Sequence, residues 1–187
     1  MLHNSFEDVG IPPGYGFKQL LYCPAANVLV VQTQSWSNSW RPERLYFRDI
    51  GAPRYTAIGT PTDLVSQEFP VVAISRPLLA YQSNVHTLEL DGQGIERHGA
   101  SWKSVTVFDL KARNELDVID NQLVRFPGGV SDAWISSLLS FGESGDILHV
   151  VAALSRDGRL SFEYQVAELD LKTRVVRPLA TLPAVFM

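Results

Sequence analysis

Residues 104–110 read SVTVFDL and are followed by the charged turn KARNE (111–115) and a second short run, LDVID (116–120). Apolar and polar side chains alternate up to Asp109, which is the two-residue rhythm of a half-buried β-strand. Two such runs joined by a short polar connection predict a hairpin. The stretch therefore predicts two antiparallel strands, with an aspartate at the end of the first.

The same pattern occurs three times, as YFRDI (46–50), VFDL (107–110) and ELDL (168–171). When the three stretches are aligned on their aspartates, the repeat has a period of about 60 residues, which is a supersecondary period. A further pair of apolar runs precedes each hairpin, so the pattern predicts four antiparallel strands in each unit. We expect one domain over residues 1–187, with units at about 17–60, 68–120 and 132–181.

Three tandem four-stranded units resemble the blades of a β-propeller, in particular the six-bladed and WD-type families. SFGESGDILHVV (140–151) is similar to the Ser-x-Asp-Gly corner that precedes the second strand of such blades. The resemblance covers most of residues 17–181 and implies an all-β, β-propeller-like fold. A β-trefoil is the alternative, because it also has three units of four strands, and its Gln-x-Trp mark occurs once, at 34–36.

The number of units bears on assembly, because propellers typically have about 4 to 8 blades. Three blades form an open arc, and an open arc leaves its ends exposed. Two arcs related by a two-fold axis would close a six-bladed homodimer, whereas a larger protein partner would cover the ends of a single arc. A trefoil would close within one chain.

Composition and charge narrow the class of partner. The chain has 16 Lys and Arg against 20 Asp and Glu, a net charge of −4, which argues against nucleic acid as a partner. A single cysteine, Cys23, favours a reducing compartment. The N-terminus lacks the pattern of a signal peptide, and every apolar run is shorter than the roughly 18 residues of a spanning helix. We therefore expect a cytoplasmic protein with no membrane partner.

The predicted loops between strands two and three and between successive units share one face of a propeller, and such loops carry function. All four tryptophans and several cations fall in or beside them, and Trp and Arg are the residues most enriched in binding hot spots. An aromatic and basic recognition face is predicted, although each Trp is equally suited to filling a gap between blades. The candidate binding residues are Trp36, Trp40, Arg41, Arg44, Arg97, His98, Trp102, Asp132, Trp134 and Arg156.

Catalytic patterns are scarce in the sequence. The four histidines lie far apart and form no metal-ligand pair, so we expect no metal and no cofactor. His149, within an apolar run, is interpreted as a hydrogen-bonded core or interface residue. Cys23 is interpreted as a small core residue, and Asp109 and Asp170 as residues that accept hydrogen bonds from the turns that follow.

These observations favour a non-enzymatic protein-binding module, and specifically an inhibitor or immunity protein that neutralises a toxic partner enzyme. Two alternatives remain open. Exposed tryptophans would suit a carbohydrate-binding, lectin-like domain. A propeller-type hydrolase or lyase would need acidic and basic loop residues to converge on the channel mouth, and the candidates are Asp63, His98, Asp132, Arg156 and Asp157.

Overall fold

The computed structural model describes residues 9–35, 42–59, 65–90, 96–128, 132–155 and 162–183. They form three four-stranded antiparallel sheets, which we number 1 to 3 along the chain. Sheet 1 contains β1 (Tyr15–Cys23), β2 (Val28–Ser35), β3 (Arg44–Asp49) and β4 (Thr56–Ala57). Sheet 2 contains β5 (Val65–Val72), β6 (Leu78–Leu90), β7 (Glu96–Asp109) and β8 (Asn114–Asp120). Sheet 3 contains β9 (Asp132–Phe141), β10 (Ile147–Ser155), β11 (Glu163–Asp170) and β12 (Val176–Thr181).

The strand order identifies the type of unit. In each sheet the hydrogen-bonded neighbours are consecutive in sequence, so every unit is a simple antiparallel meander. Three separate meander sheets match the blade arrangement and do not support the trefoil alternative, whose units share one barrel. The prediction of three tandem four-stranded antiparallel units is therefore confirmed.

The repeated aspartates end the third strand of each sheet, where they pair with Val28, Leu78 and Ile147. Asp109 Oδ1 accepts hydrogen bonds from the backbone N–H groups of Lys111 and Ala112, both at 2.8 Å. Asp170 Oδ1 accepts the equivalent pair in the turn of sheet 3, both at 2.9 Å. These bonds fix the turns, so the structural interpretation of the two aspartates is confirmed.

The long insertion of unit two extends an existing hairpin. β6 and β7 continue past the length of the other strands, and their pairing runs on from Val85↔Ser101 to Leu90↔Glu96. The insertion therefore forms the outer part of the β6–β7 hairpin. The chain between sheets 2 and 3 adds a parallel bridge between Arg125 and Val175.

Two apolar layers lie between the sheets. The layer between sheets 1 and 2 contains Val30, Leu45 and Phe47 on one side and Tyr81 and Phe108 on the other. A larger layer between sheets 2 and 3 joins residues such as Ala80 and Val105 to most of the inward side chains of sheet 3. Sheet 2 is therefore covered on both faces, whereas sheets 1 and 3 each have one face that looks away from the stack.

Buried glutamines bind each sheet to the next. Gln67 at the start of sheet 2 accepts from Leu45 N at 2.8 Å and donates to Ile58 O at 2.9 Å in sheet 1. Gln82 Nε2 of sheet 2 donates to Ile135 O of sheet 3 at 2.8 Å. Each bond satisfies a buried polar group, which would otherwise be costly.

Helical structure is limited in the described ranges. Asn121–Leu123 forms one turn of 3₁₀ helix after β8. Within the described part of the chain, no helix has the length and the hydropathy needed to cross a membrane.

Candidate interaction surface

Most of the predicted recognition face lies outside what the structure describes. Trp36, Trp40, Arg41 and Arg156 are outside the described residues, as are Asp63 and Asp157. For four more candidates the backbone is described but the side chain is not: Arg97, His98, Trp102 and Asp132. The predicted binding face therefore stays a prediction.

Arg44 and Trp134 are the two candidates with described side chains. Arg44 is buried, and its guanidinium donates to Val65 O at 3.3 Å, which links the start of β3 to the start of β5. The Trp134 ring meets Phe162 edge to face, with centroids 4.5 Å apart. Arg44 is therefore enclosed by the fold, whereas Trp134 is partly buried and contacts Phe162, the residue before β11 of its own sheet.

Cys23 agrees with the interpretation made from the sequence. Its side chain is fully buried between sheets 1 and 2, and Sγ lies 3.6 Å from Ala73 O. Burial raises the pKa of the thiol above its ordinary value. A raised pKa disfavours the thiolate, so Cys23 is a core residue.

The outer face of sheet 1 is the first exposed surface of interest. Side chains alternate along a strand, so Leu29, Val31 and Tyr46 lie on the outer face of sheet 1, away from the layer that faces sheet 2. Val31 and Tyr46 are covered by Ile11 and Tyr15 of the same chain. Four large apolar side chains of this sheet are about half exposed or more, namely Phe17, Leu20, Tyr22 and Ile50.

The repeat shows that two of these positions are buried in another sheet. Ile50 follows Asp49 and is 49% exposed, whereas Leu110, which follows Asp109, is 1% exposed. Leu20 pairs with Val31 and is 61% exposed, whereas its equivalent Leu138, which pairs with Val150, is 6% exposed. Sheet 1 therefore leaves Leu20 and Ile50 exposed at positions by which a blade packs on the preceding blade, while Ile11 and Tyr15 cover the middle of the same face.

The outer face of sheet 3 differs, because it has a polar centre. Ser140, His149 and Glu168 lie side by side on β9, β10 and β11. Ser140 Oγ is 2.9 Å from His149 Nδ1, and His149 Nε2 is 3.8 Å from Glu168 Oε1. At the equivalent position of His149, sheets 1 and 2 carry the buried apolar residues Val30 and Ala80.

This trio has the residue types of a hydrolytic triad but not its geometry. A nucleophile, base and orienting acid need contacts of about 2.6–3.2 Å, and the His149–Glu168 separation is longer. The three side chains also stand on a sheet surface, without the sharp turn that exposes a nucleophilic serine. We assign the trio no catalytic role. The described residues contain no group of three or more His, Cys, Asp and Glu side chains able to hold a metal.

A cavity of about 510 Å³ opens at the rim between sheets 1 and 2. It lies beside the two-residue strand β4 and is lined in part by Phe47 and Phe108, which are both only 4% exposed. Arg113 and Glu115 also line it. The size is in the range of small-ligand sites, but the lining groups select no ligand class.

The main features of this surface were missed in the sequence. The loops drew attention because of their tryptophans, whereas Leu20, Tyr22 and Ile50 sit in ordinary strand positions. Comparing the residues next to the three aligned aspartates would have revealed one signal. Arg48 stands where the other two units have Phe108 and Leu169.

Comparison with known proteins supports the fold. The chain is similar to the crystal structure of Porphyromonas gingivalis dipeptidyl peptidase 4, with a TM-score of 0.50 and 10% sequence identity. The match covers 86% of this chain and 25% of that chain, so this chain spans about a quarter of the length of the solved protein. No family model and no curated protein matches the sequence. This likeness to a β-propeller protein concerns the fold alone, and the chain has an all-β, propeller-like architecture.

Proposed function

We propose that the chain is a non-enzymatic protein-binding module that docks through the outward faces of its open stack of sheets. One observation carries this proposal: Leu20 and Ile50 of sheet 1 are exposed, whereas their equivalents Leu138 in sheet 3 and Leu110 in sheet 2 are buried. Exposed apolar side chains clustered on one face are typical of interaction sites.

The class of partner follows from the shape of that face. The outer face of sheet 1 is an extended strand surface rather than a closed pocket, so it suits a protein surface better than a small molecule. An inhibitor or immunity protein that blocks a toxic enzyme is the specific role that we propose. The cytoplasm remains the proposed compartment, with the single cysteine as its argument.

The test uses the full chain as bait in lysate from its native source. We expect a retained protein to bind the wild-type chain again when purified, and to bind Leu20→Glu at least about tenfold more weakly, because the change places a charge in an apolar contact. Glu143→Arg, an exposed change in the β9–β10 turn, is the control and is expected to bind normally. Retention of no protein, together with no self-association, would overturn the proposal.

The inhibitor role has its own readout. If the purified partner is an enzyme, its activity should fall in proportion to the amount of chain added, and Leu20→Glu should inhibit less at the same concentration. Full activity of the partner at saturating chain would reject the inhibitor role, while leaving the binding function intact.

A further inference from the structure

The residues beside the repeated aspartates meet across the boundaries between sheets. Phe47 lies two positions before Asp49 and faces sheet 2, where Phe108 lies one position before Asp109. The two rings are 6.4 Å apart between centroids. At the next boundary the equivalent residues are Val107 and Leu169, and both are buried.

The third pair of this series is charged and lies on the two open faces. Glu168, two positions before Asp170, is on the outer face of sheet 3. Arg48, one position before Asp49, is on the outer face of sheet 1. The series thus runs from Phe47 and Phe108, through an aliphatic pair, to a carboxylate and a guanidinium of opposite charge.

Both charges are incompletely satisfied within the chain. Arg48 Nε is buried and has no hydrogen-bond partner among the described residues, although the guanidinium lies 4.6 Å from the centroid of the Tyr55 ring. The Glu168 side chain is one-third exposed, and its contact with His149 is 3.8 Å long. Both residues are partly exposed, so a group of opposite charge from outside the chain would find a complementary partner at either side chain, although not at the buried Nε.

We propose that the outer face of sheet 3 packs on the outer face of sheet 1 of a second copy, with Glu168 opposite Arg48 of that copy. This proposal rests on the binding function proposed above. A two-fold axis makes two identical boundaries of this kind. Two arcs of three blades close a six-bladed ring, a blade number that propellers use.

Glu168 lies between His149 and Arg177 on the neighbouring strands, and apolar residues lie next to this polar row. Val151 and Val166 are paired neighbours on the outer face of sheet 3, and both are partly exposed. Val151 occupies the position of Gln32 and Gln82, which reach the first strand of the next sheet. Its counterpart on the second copy is the apolar Phe17 region, so an apolar contact replaces the glutamine bond at this boundary.

Charge reversal provides the test. In Glu168→Arg or Arg48→Glu alone, both boundaries of a dimer would bring like charges together, and each variant is expected to be a monomer near 20.8 kDa. Mixing the two variants restores opposite charges at both boundaries, so the mixture is expected to recover a mass of twice 20.8 kDa. Mass is measured by light scattering and sedimentation velocity over a dilution series.

Controls separate the interface from the fold. Glu143→Arg and Lys111→Glu change the charge by the same amounts at exposed turn positions and are expected to leave the dimer unchanged. Thermal unfolding followed by circular dichroism shows whether each variant is folded. A variant that loses the fold would not recover a dimer on mixing, whereas a folded variant with a blocked boundary would.

Each of the following results would overturn this inference. They are a wild-type chain that is monomeric over the whole dilution series, a dimer that survives both single reversals, and a mixture that stays monomeric. A dimer broken by Arg48→Glu but not by Glu168→Arg would also reject it, since that result indicates pairing of two sheet 1 faces. A monomer that still captures another protein would leave the proposed binding function standing.

Discussion

The guanidinium of Arg113 lies 2.6 Å from the Asp49 carboxylate, so the turn after the third strand of sheet 2 is tied to the end of the third strand of sheet 1. The equivalent Arg174 of sheet 3 contacts Asp117 at 2.6 Å, within β8, the fourth strand of sheet 2. Both arginines adopt a positive φ, 60° and 62°, four positions after the repeated aspartate. The turn that closes one hairpin thus also links its sheet to the preceding sheet.

Removal of these two arginines is expected to have unequal effects. Arg174 is three-quarters buried and also donates to Leu171 O, so Arg174→Ala should lower the free energy of unfolding by about 1–3 kcal/mol. Arg113 and Asp49 are about half exposed, and Arg113→Ala should cost about 0–1 kcal/mol. Urea unfolding measures both values.

A double-mutant cycle of Arg174→Ala with Asp117→Ala separates the ion pair from lost packing. We expect its coupling energy to be well above that of a second cycle, Arg113→Ala with Asp49→Ala. Equal coupling in the two cycles would mean that burial does not strengthen the second pair.

The sequence was sufficient to predict the units but not the arrangement of their ends. Alternation, turn residues and the repeated Asp109 and Asp170 are local signals, so four strands per unit followed directly from them. The exposure of Leu20 and Ile50 depends on which sheet lies next to them, and local sequence patterns do not predict which sheets are neighbours. Arg44 illustrates the same limit, since its loop-edge position in the sequence gave no sign that the fold buries it.

Gln67 carries two buried hydrogen bonds between sheets 1 and 2, and its replacement should be costly. Gln67→Leu keeps a similar volume but leaves Leu45 N–H and Ile58 C=O without the side-chain partner that each has now. Two unsatisfied buried groups are expected to lower the free energy of unfolding by about 2–5 kcal/mol. Gln19→Leu, at an exposed position of β1, is the control and should change stability by less than about 0.5 kcal/mol.

The lowered pKa of the Asp170 carboxyl predicts that the chain loses stability in acid. Hydrogen bonds from the backbone of Thr173 and then Lys172 lower the pKa of its carboxyl below the ordinary value. The folded chain therefore holds this proton less tightly than the unfolded chain. The resulting contribution of Asp170 to the free energy of unfolding is present above the ordinary pKa and is lost as the pH falls below it. In Asp170→Asn, which cannot titrate, the decline in melting temperature on acidification should be shallower. An unchanged decline would show that the turn does not favour the carboxylate.

The raised pKa of the Tyr81 hydroxyl predicts the opposite pH dependence, a loss of stability in alkali. Burial, reinforced by the nearby Glu115 carboxylate, raises the pKa of its hydroxyl to about 12. Above the ordinary value the unfolded chain loses this proton first and binds fewer protons than the folded chain. The contribution of Tyr81 to the free energy of unfolding is therefore fully present below about pH 10. It is lost as the pH rises towards about 12, by about 2–3 kcal/mol in total.

The measurement is urea unfolding of the wild-type chain and Tyr81→Phe at a series of pH values from about 8 to about 11.5, which covers most of the interval between the ordinary and the raised pKa. The phenylalanine cannot ionise, so its free energy of unfolding should decline less over that interval. Tyr22→Phe removes an exposed hydroxyl and should keep the wild-type slope. Parallel slopes for the wild-type chain and Tyr81→Phe would mean that the layer between sheets 1 and 2 admits water around Tyr81, contrary to its 2% exposure.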